Sequence, residues 1–312
     1  MADENWERSV IEQIAVEGLR EQTRARRWRI FFLLLTFAFL SVGLLAIVGA
    51  LSESQVRCLD RCTAKVELLG ELDADGPVSA ENVMAGLQAA FKNKGTQGVV
   101  LRINSPGGSP VQAGEINDEI RRLRAKYPAI PVYAVVEEMC ASGAYYAAVA
   151  ADKIYVDKAS LIGSIGVIID SFGFVSAMEK VGVERRALTA GENKTFLDPF
   201  SPLTPQQRDY AQAMIDQIHQ QFIAAVKTGR GERLKETPEL FSGLVWNGAR
   251  GIDLGLADGL GSVEYVAREV IKAEDVVDFT VKEHLGERLA RKFGATLGGS
   301  LGAVAGKSLR WH

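Results

Sequence analysis

Apolar positions fall along this chain in two regimes. From residue 30 to 52 (IFFLLLTFAFLSVGLLAIVGALS) no position is charged and every face is apolar, which predicts a membrane-crossing helix rather than one with a single buried stripe. At 1.5 Å per residue such a helix spans a hydrocarbon core of roughly 30 Å. Beyond residue 64, short apolar runs alternate with amphipathic stretches. Residues 65–72 (KVELLGEL), 98–103 (GVVLRI), 131–136 (PVYAVV) and 153–156 predict strands, and 166–169, 184–188 and 276–281 predict three more. Residues 79–93 predict a helix capped by Ser79, and 111–127 one with Ile116, Ile120 and Leu123 on a single face. Residues 142–151 predict a helix of small residues, with further helices at 174–181, 247–254 and 262–271. A long helix is predicted over 205–227, opened by Thr204 and Pro205. Strand, helix, strand at this spacing implies an α/β fold of βαβ units on a largely parallel sheet.

Charge adds an orientation. Arg20, Arg24, Arg26, Arg27 and Arg29 precede the apolar run against Glu21 alone, and no such excess follows it. The bias predicts a cytoplasmic segment at 1–29, a transmembrane helix at 30–52, a linker at 53–64, a domain at 65–281 across the membrane and a tail at 282–312. A cleaved signal peptide competes with a retained anchor, but its apolar region is ordinarily about 7–15 residues. A net charge of −3 offers no field for nucleic acid. Cys58 and Cys62 follow the membrane run, where they could pair with each other, pair across subunits or remain thiols. No further metal ligands lie near them, and neither a metal nor a cofactor is expected.

Two loops that follow apolar strands carry the candidate chemistry, the usual place for ligand sites in open α/β sheets. In NSPGGS, 104–109, the paired glycines Gly107 and Gly108 allow bare amides to point outward, as an oxyanion requires; the alternatives are an ordinary strand-to-helix turn or a phosphate cradle, though the loop lacks the Lys and Ser/Thr pattern of a P-loop. In CASGAYYAA, 140–148, Ser142 opens a helix beside Gly143, so it reads either as a helix cap or as an exposed nucleophile. Nothing near Cys140 would activate its thiol, so it reads as a packing residue. The three histidines, His219, His284 and His312, all fall outside these loops and read as surface or helix residues. A lysine could replace the missing base. Lys153, Lys158, Lys180 and Lys194 are the candidates, and Lys194 stands out in a glycine-containing loop beside Phe196, Leu197 and Phe200.

NSPGG, then ASGAYYAAVAADKIY, SLIGSIGV, a lysine in a glycine-bearing loop and GLVWNGARGIDLGLAD occur in one order over roughly 65–271. Together with the apolar N-terminal run, this resembles the signal peptide peptidase SppA family, membrane-anchored serine proteases of the crotonase/Clp-protease fold. The resemblance implies a Ser-Lys dyad of Ser142 and Lys194, oxyanion amides from Gly108 and Gly143, and Ser164 orienting the lysine. It departs from the common ASGGYY only at Ala144. It further implies a bacterial inner membrane location with the domain on the periplasmic side, hydrophobic peptides such as cleaved signal peptides as substrates, and a homo-oligomer. Whether one chain or two neighbours supply the dyad stays open. Two rivals stand beside this reading: a crotonase-fold acyl-CoA enzyme, and an inactive membrane scaffold of the same fold.

Overall fold

The computed structural model of the chain describes residues 2–51, 58 and 60–281. Helix α1, Ala2–Leu51, is uninterrupted, so the apolar run continues a helix that begins well before residue 30. Its stretch Val16–Leu44 is long and apolar enough to cross a membrane, and Leu33, Phe37 and Phe39 are exposed. Ser52, residues 53–57 and 59 of the expected linker, and the tail 282–312 with His284 and His312 lie outside the described residues.

Val56–Lys282 form a compact unit of their own. It opens with three strand–helix repeats: β1 Cys62–Leu69 and α2 Ala80–Lys92, β2 Thr96–Ser105 and α3 Pro110–Lys126, β3 Val132–Ala141 and α4 Gly143–Ala148. Then follow β4 Lys153–Val156, β5 Leu161–Gly163, α5 Val175–Lys180, α6 Pro205–Arg230, β6 Val245–Asn247 and α7 Gly248–Asp253. The unit closes with β7 Gly259–Leu260, α8 Val263–Tyr265, a wider helical turn Val266–Ile271, and β8 Val276–Asp278. Local chemistry sets the helix starts. The Ser79 hydroxyl accepts from the Asn82 amide ahead of α2. Thr204 and Gln207 cap each other's backbone ahead of α6, with Pro205 in the first turn, where a missing N–H costs nothing.

The strands run β6-β5-β3-β2-β1-β8, with β4 paired to β3 and β7. Every pairing is parallel except β5 with β6. β3 changes neighbour along its length: Tyr133–Val135 pair with β4, whereas Met139–Ala141 pair with β5. That exchange opens the sheet beside the end of β3. Burial of both faces explains the unbroken apolar runs of the central strands. Ala64, Val66, Leu68, Leu101 and Ile103 meet Leu87 of α2 and Ile116 and Ile120 of α3 in the main core. Val100, Val135 and Tyr155 pack on the other face with Val266 and Ile271.

Two expected strands do not form. Residues 166–169 run irregularly, and 184–188 lie in an exposed arm, roughly 167–204, whose one helix is the short α5. Among the described residues, neither stretch has a neighbouring strand to complete its ladder. β3 in turn extends through 137–141, expected as a loop, so that residue 142 follows directly on a strand.

Candidate active site

Ser142 is the single residue between β3 and α4, with φ 52° and ψ −126°. A non-glycine residue in such a conformation costs of order 1–3 kcal/mol and persists only where its surroundings impose it. It occupies the cap position of α4, yet its hydroxyl makes no capping hydrogen bond. The cap reading of Ser142 is thereby corrected: the side chain is left free at a strained strand-to-helix turn, as a nucleophile requires.

The NSPGG loop lies against it. A register shift between Ile103 and Ser105 ends the regular pairing of β2 with β3 and sets Ser105 opposite Cys140. Beyond it the loop is held from the β1 side, where Leu72 N–H donates to the Gly107 carbonyl at 2.7 Å and Ser109 N–H to the Leu72 carbonyl at 2.8 Å. Gly107 and Gly108 have φ of 104° and 132°. A Cβ on Gly108 would stand 2.3 Å from the Leu72 carbonyl oxygen, and one on Gly107 2.7 Å from the Ser142 Cβ and 2.8 Å from the Gly143 nitrogen. The sequence pointed to Gly107 only as half of the double glycine; its contact with Ser142 is added by the structure. Among the described residues, neither the Gly108 nor the Gly143 N–H has an acceptor.

The turn 163–166 forms a third side. Ser142 N–H donates to the Gly163 carbonyl at 2.9 Å, and Ser164, itself at φ 51°, donates its N–H to the Leu244 carbonyl at 2.8 Å. Gly108, Ser142, Gly143 and Ser164 all line one cleft of about 470 Å³, whose walls include Tyr146, Ile168, Ile215, Ile218 and Phe222. The Tyr146 and Phe222 rings lie 5.1 Å apart. The cleft is thus apolar, with a few convergent polar groups at one end, as ligand sites generally are.

Lys194 is not among the residues lining this cleft. It is exposed on the arm, where its backbone N–H donates to the Gly191 carbonyl. His219 is a helix residue, as expected, on α6, and its Nε2 points at the Ile165 carbonyl, 3.0 Å away. Cys140 is buried, and burial pushes its thiol well above the ordinary cysteine value, which agrees with a packing role. Cys58 and Cys62, left open by the sequence, form a disulfide with Cα atoms 5.8 Å apart.

A buried frame supports α4, the helix that Ser142 opens. Tyr145, on α4, is fully buried and donates to the Leu256 carbonyl at 2.9 Å. Two residues on, Asp258 holds Arg230 at 2.8 Å and Arg233 at 3.0 Å, and accepts from the Ile154 amide. Arg230 also donates to the Gly255 carbonyl, so the end of α6 and the 255–258 segment are tied together under α4.

A largely parallel sheet of βαβ units, with a strained serine at a strand–helix junction flanked by two glycine amides, defines an α/β protein with a serine-centred candidate site. Comparison with known sequences narrows this. The profile described as "Peptidase family S49" matches residues 124–277. The chain is 31% identical over 220 residues to the putative protease MJ0651 of Methanocaldococcus jannaschii, covering 70% of each chain. It is 29% identical over 204 residues to a putative signal peptide peptidase SppA of Enterococcus faecium, covering 65% of this chain and 59% of that one. The chain belongs to peptidase family S49. It is also 46% identical over 177 residues, 57% of its length, to part of a protein named Na(+)/H(+) antiporter NhaA of Brucella melitensis, of which it spans only 24%.

Proposed function

We propose that the chain is a membrane-anchored serine endopeptidase that cleaves hydrophobic peptides, cleaved signal peptides among them. The observation that carries this is Ser142: a free hydroxyl held in a strained turn, at the mouth of an apolar cleft, with two unengaged amides beside it. In this reading Ser142 attacks the peptide carbonyl, and its proton passes to the neutral amine of Lys194, which Ser164 orients. The Gly108 and Gly143 amides hold the tetrahedral oxyanion, an interaction worth roughly 3–4 kcal/mol per donor. Collapse of the intermediate breaks the C–N bond, the departing amine takes the proton back from Lys194, and water then hydrolyses the acyl-enzyme to free Ser142. The apolar stretch of α1 anchors the chain, with the arginines before it on the cytoplasmic side of a bacterial inner membrane and the domain on the other.

The position of Lys194 favours the form of this reading in which neighbouring copies share the dyad. The arm that carries it exposes Ile168, Phe172, Val181, Val183 and Leu188, the last completely, an apolar surface suited to burial against another copy in a homo-oligomer. A lysine from a neighbour's arm would reach Ser142 without belonging to the same chain's cleft.

A serine-directed fluorophosphonate should label the wild type and not Ser142→Ala. An acyl-CoA enzyme or an inactive scaffold of the same fold predicts no such labelling. Ser142→Ala and Lys194→Ala should each lower turnover of a hydrophobic peptide by about a thousandfold or more. Co-assembling the two inactive variants should restore part of the activity if the dyad is shared between copies. Turnover surviving in either single variant would remove the dyad.

A further inference from the structure

We propose that His219 is a positioning residue, a side-chain tether that holds the 163–166 turn against the nucleophile and keeps the cleft wall in register with it. The proposal rests on Ser142 as nucleophile and extends that reading to a residue outside the dyad and the oxyanion amides.

The turn is an improbable structure to hold by itself. Gly163 lies at φ 109° and Ser164 at φ 51°, so two consecutive residues occupy the left-handed side of conformational space, the second at the cost that a Cβ brings. Its geometry matters because the turn faces Ser142 directly, through the Ser142 N–H bond to the Gly163 carbonyl. Ser164, next in the chain, lines the cleft beside Ser142. Beside the pairing of Gly163 with β3 and β6, three backbone hydrogen bonds hold it: Ser142 N–H to Gly163, Ser164 N–H to Leu244, and Gly166 N–H to Ser164. Among the described residues, His219 is the one side chain that hydrogen-bonds to it, at the Ile165 carbonyl, 3.0 Å from Nε2. A carbonyl can only accept, so Nε2 carries the proton.

The origin of the tether gives it a second effect. His219 sits on α6 within one turn of Ile215, Ile218 and Phe222, all three of which line the cleft. The far end of α6 is anchored by Arg230 to Gly255 and Asp258. The His219 bond therefore joins a helix fixed at its end to the turn that fixes the nucleophile's amide. Removing the donor leaves the Ile165 carbonyl unpaired and frees the turn to relax from its strained conformation, displacing Ser142 and Ser164 together.

The test uses the full-length protein in detergent and two substitutions. His219→Leu removes the donor at similar volume, and His219→Gln keeps an N–H at comparable reach. Fluorophosphonate labelling of Ser142 and kcat on a hydrophobic fluorogenic peptide should fall about tenfold in His219→Leu, the scale of one lost hydrogen bond, while KM moves much less. His219→Gln should recover most of both rates. Amide hydrogen exchange at Ser164 and Gly166 should quicken in His219→Leu and not in His219→Gln. Labelling at the wild-type rate in His219→Leu overturns the proposal, and so does equal loss in both variants, which marks a general packing role. Turnover persisting in Ser142→Ala instead defeats the serine reading, whereas unchanged exchange in His219→Leu defeats the tether alone.

Discussion

Gly107 lies flat against Ser142: a Cβ added to Gly107 would stand 2.7 Å from the Cβ of Ser142, inside any tolerable contact. The nucleophile candidate and the loop that flanks it are thus packed backbone to side chain, with no space for a methyl group. Gly107→Ala adds that clash to a φ of 104° that an L-residue rarely adopts. The neighbour it meets is the start of a buried helix, which cannot yield cheaply. We expect Gly107→Ala to lower fluorophosphonate labelling of Ser142 by about a hundredfold, roughly 2.7 kcal/mol. Labelling at the wild-type rate would show that the loop can back away from the serine.

The conformation of Ser142 predicts an unusual order of stabilities. In an ordinary helix cap, Ser is replaced by Gly at a cost of only a few tenths of a kcal/mol and by Ala at about 1 kcal/mol. At φ 52° with no capping bond to lose, Gly relieves strain that Ser and Ala both bear. Ser142→Gly should therefore be more stable than the wild type by about 1 kcal/mol, with Ser142→Ala close to the wild type, both being inactive. Thermal melts of the three proteins decide it; a wild type more stable than Ser142→Gly would restore the cap.

Asp258 gives the frame beneath α4 a pH dependence. Burial by itself would raise the Asp258 carboxyl, but the hydrogen bond and charge of Arg230, the Ile154 amide and Arg233 outweigh it and hold the group below the ordinary carboxylate value. A depressed folded-state value means stability that is present above the unfolded-state value of about 3.9 and lost as pH falls through the folded one. Arg230 is 1% exposed, so Asp258→Asn leaves a buried guanidinium without its counter-charge, at a cost of about 3–5 kcal/mol. Urea unfolding should show that difference at pH 7 and a smaller one below about pH 4. A difference independent of pH would mean that the carboxylate charge is not what stabilises the frame.

The Cys58–Cys62 disulfide closes a short loop just ahead of β1. Gly95 is packed against it so closely that a Cβ there would stand 2.4 Å from the Cys58 sulfur, and Cys62 N–H donates to the Gly95 carbonyl at 3.0 Å. Closing so short a loop stabilises by about 2 kcal/mol. Cys58→Ser should lower the melting temperature by about 4–8 °C, and a reductant should do the same to the wild type but not to the variant. Equal melting of oxidised and reduced wild type would show that the bridge does not constrain the unfolded chain.

The sequence by itself determined what depends on neighbours along the chain. Ser79 and Thr204 mark helix starts because a cap bonds an amide three residues away, and the apolar runs 98–101 in β2 and 132–136 in β3 are legible because both faces of the central strands are buried. The serine and the double glycine were visible for the same local reason. Only the tertiary structure decided the rest, because each remaining feature is a meeting of distant segments. β5, β6 and β7 hold two or three residues each and exist through their partners, while 166–169 and 184–188 have strand-like sequences and no partner strand among the described residues. Ser142 is strained because Gly107, Gly163 and α4 close on it from three parts of the chain. His219, an unremarkable helix residue in the sequence, comes to lie 3.0 Å from a carbonyl 54 positions earlier in the chain. Periodicity reports which face a residue turns toward the core, but which residue waits there is settled by packing alone.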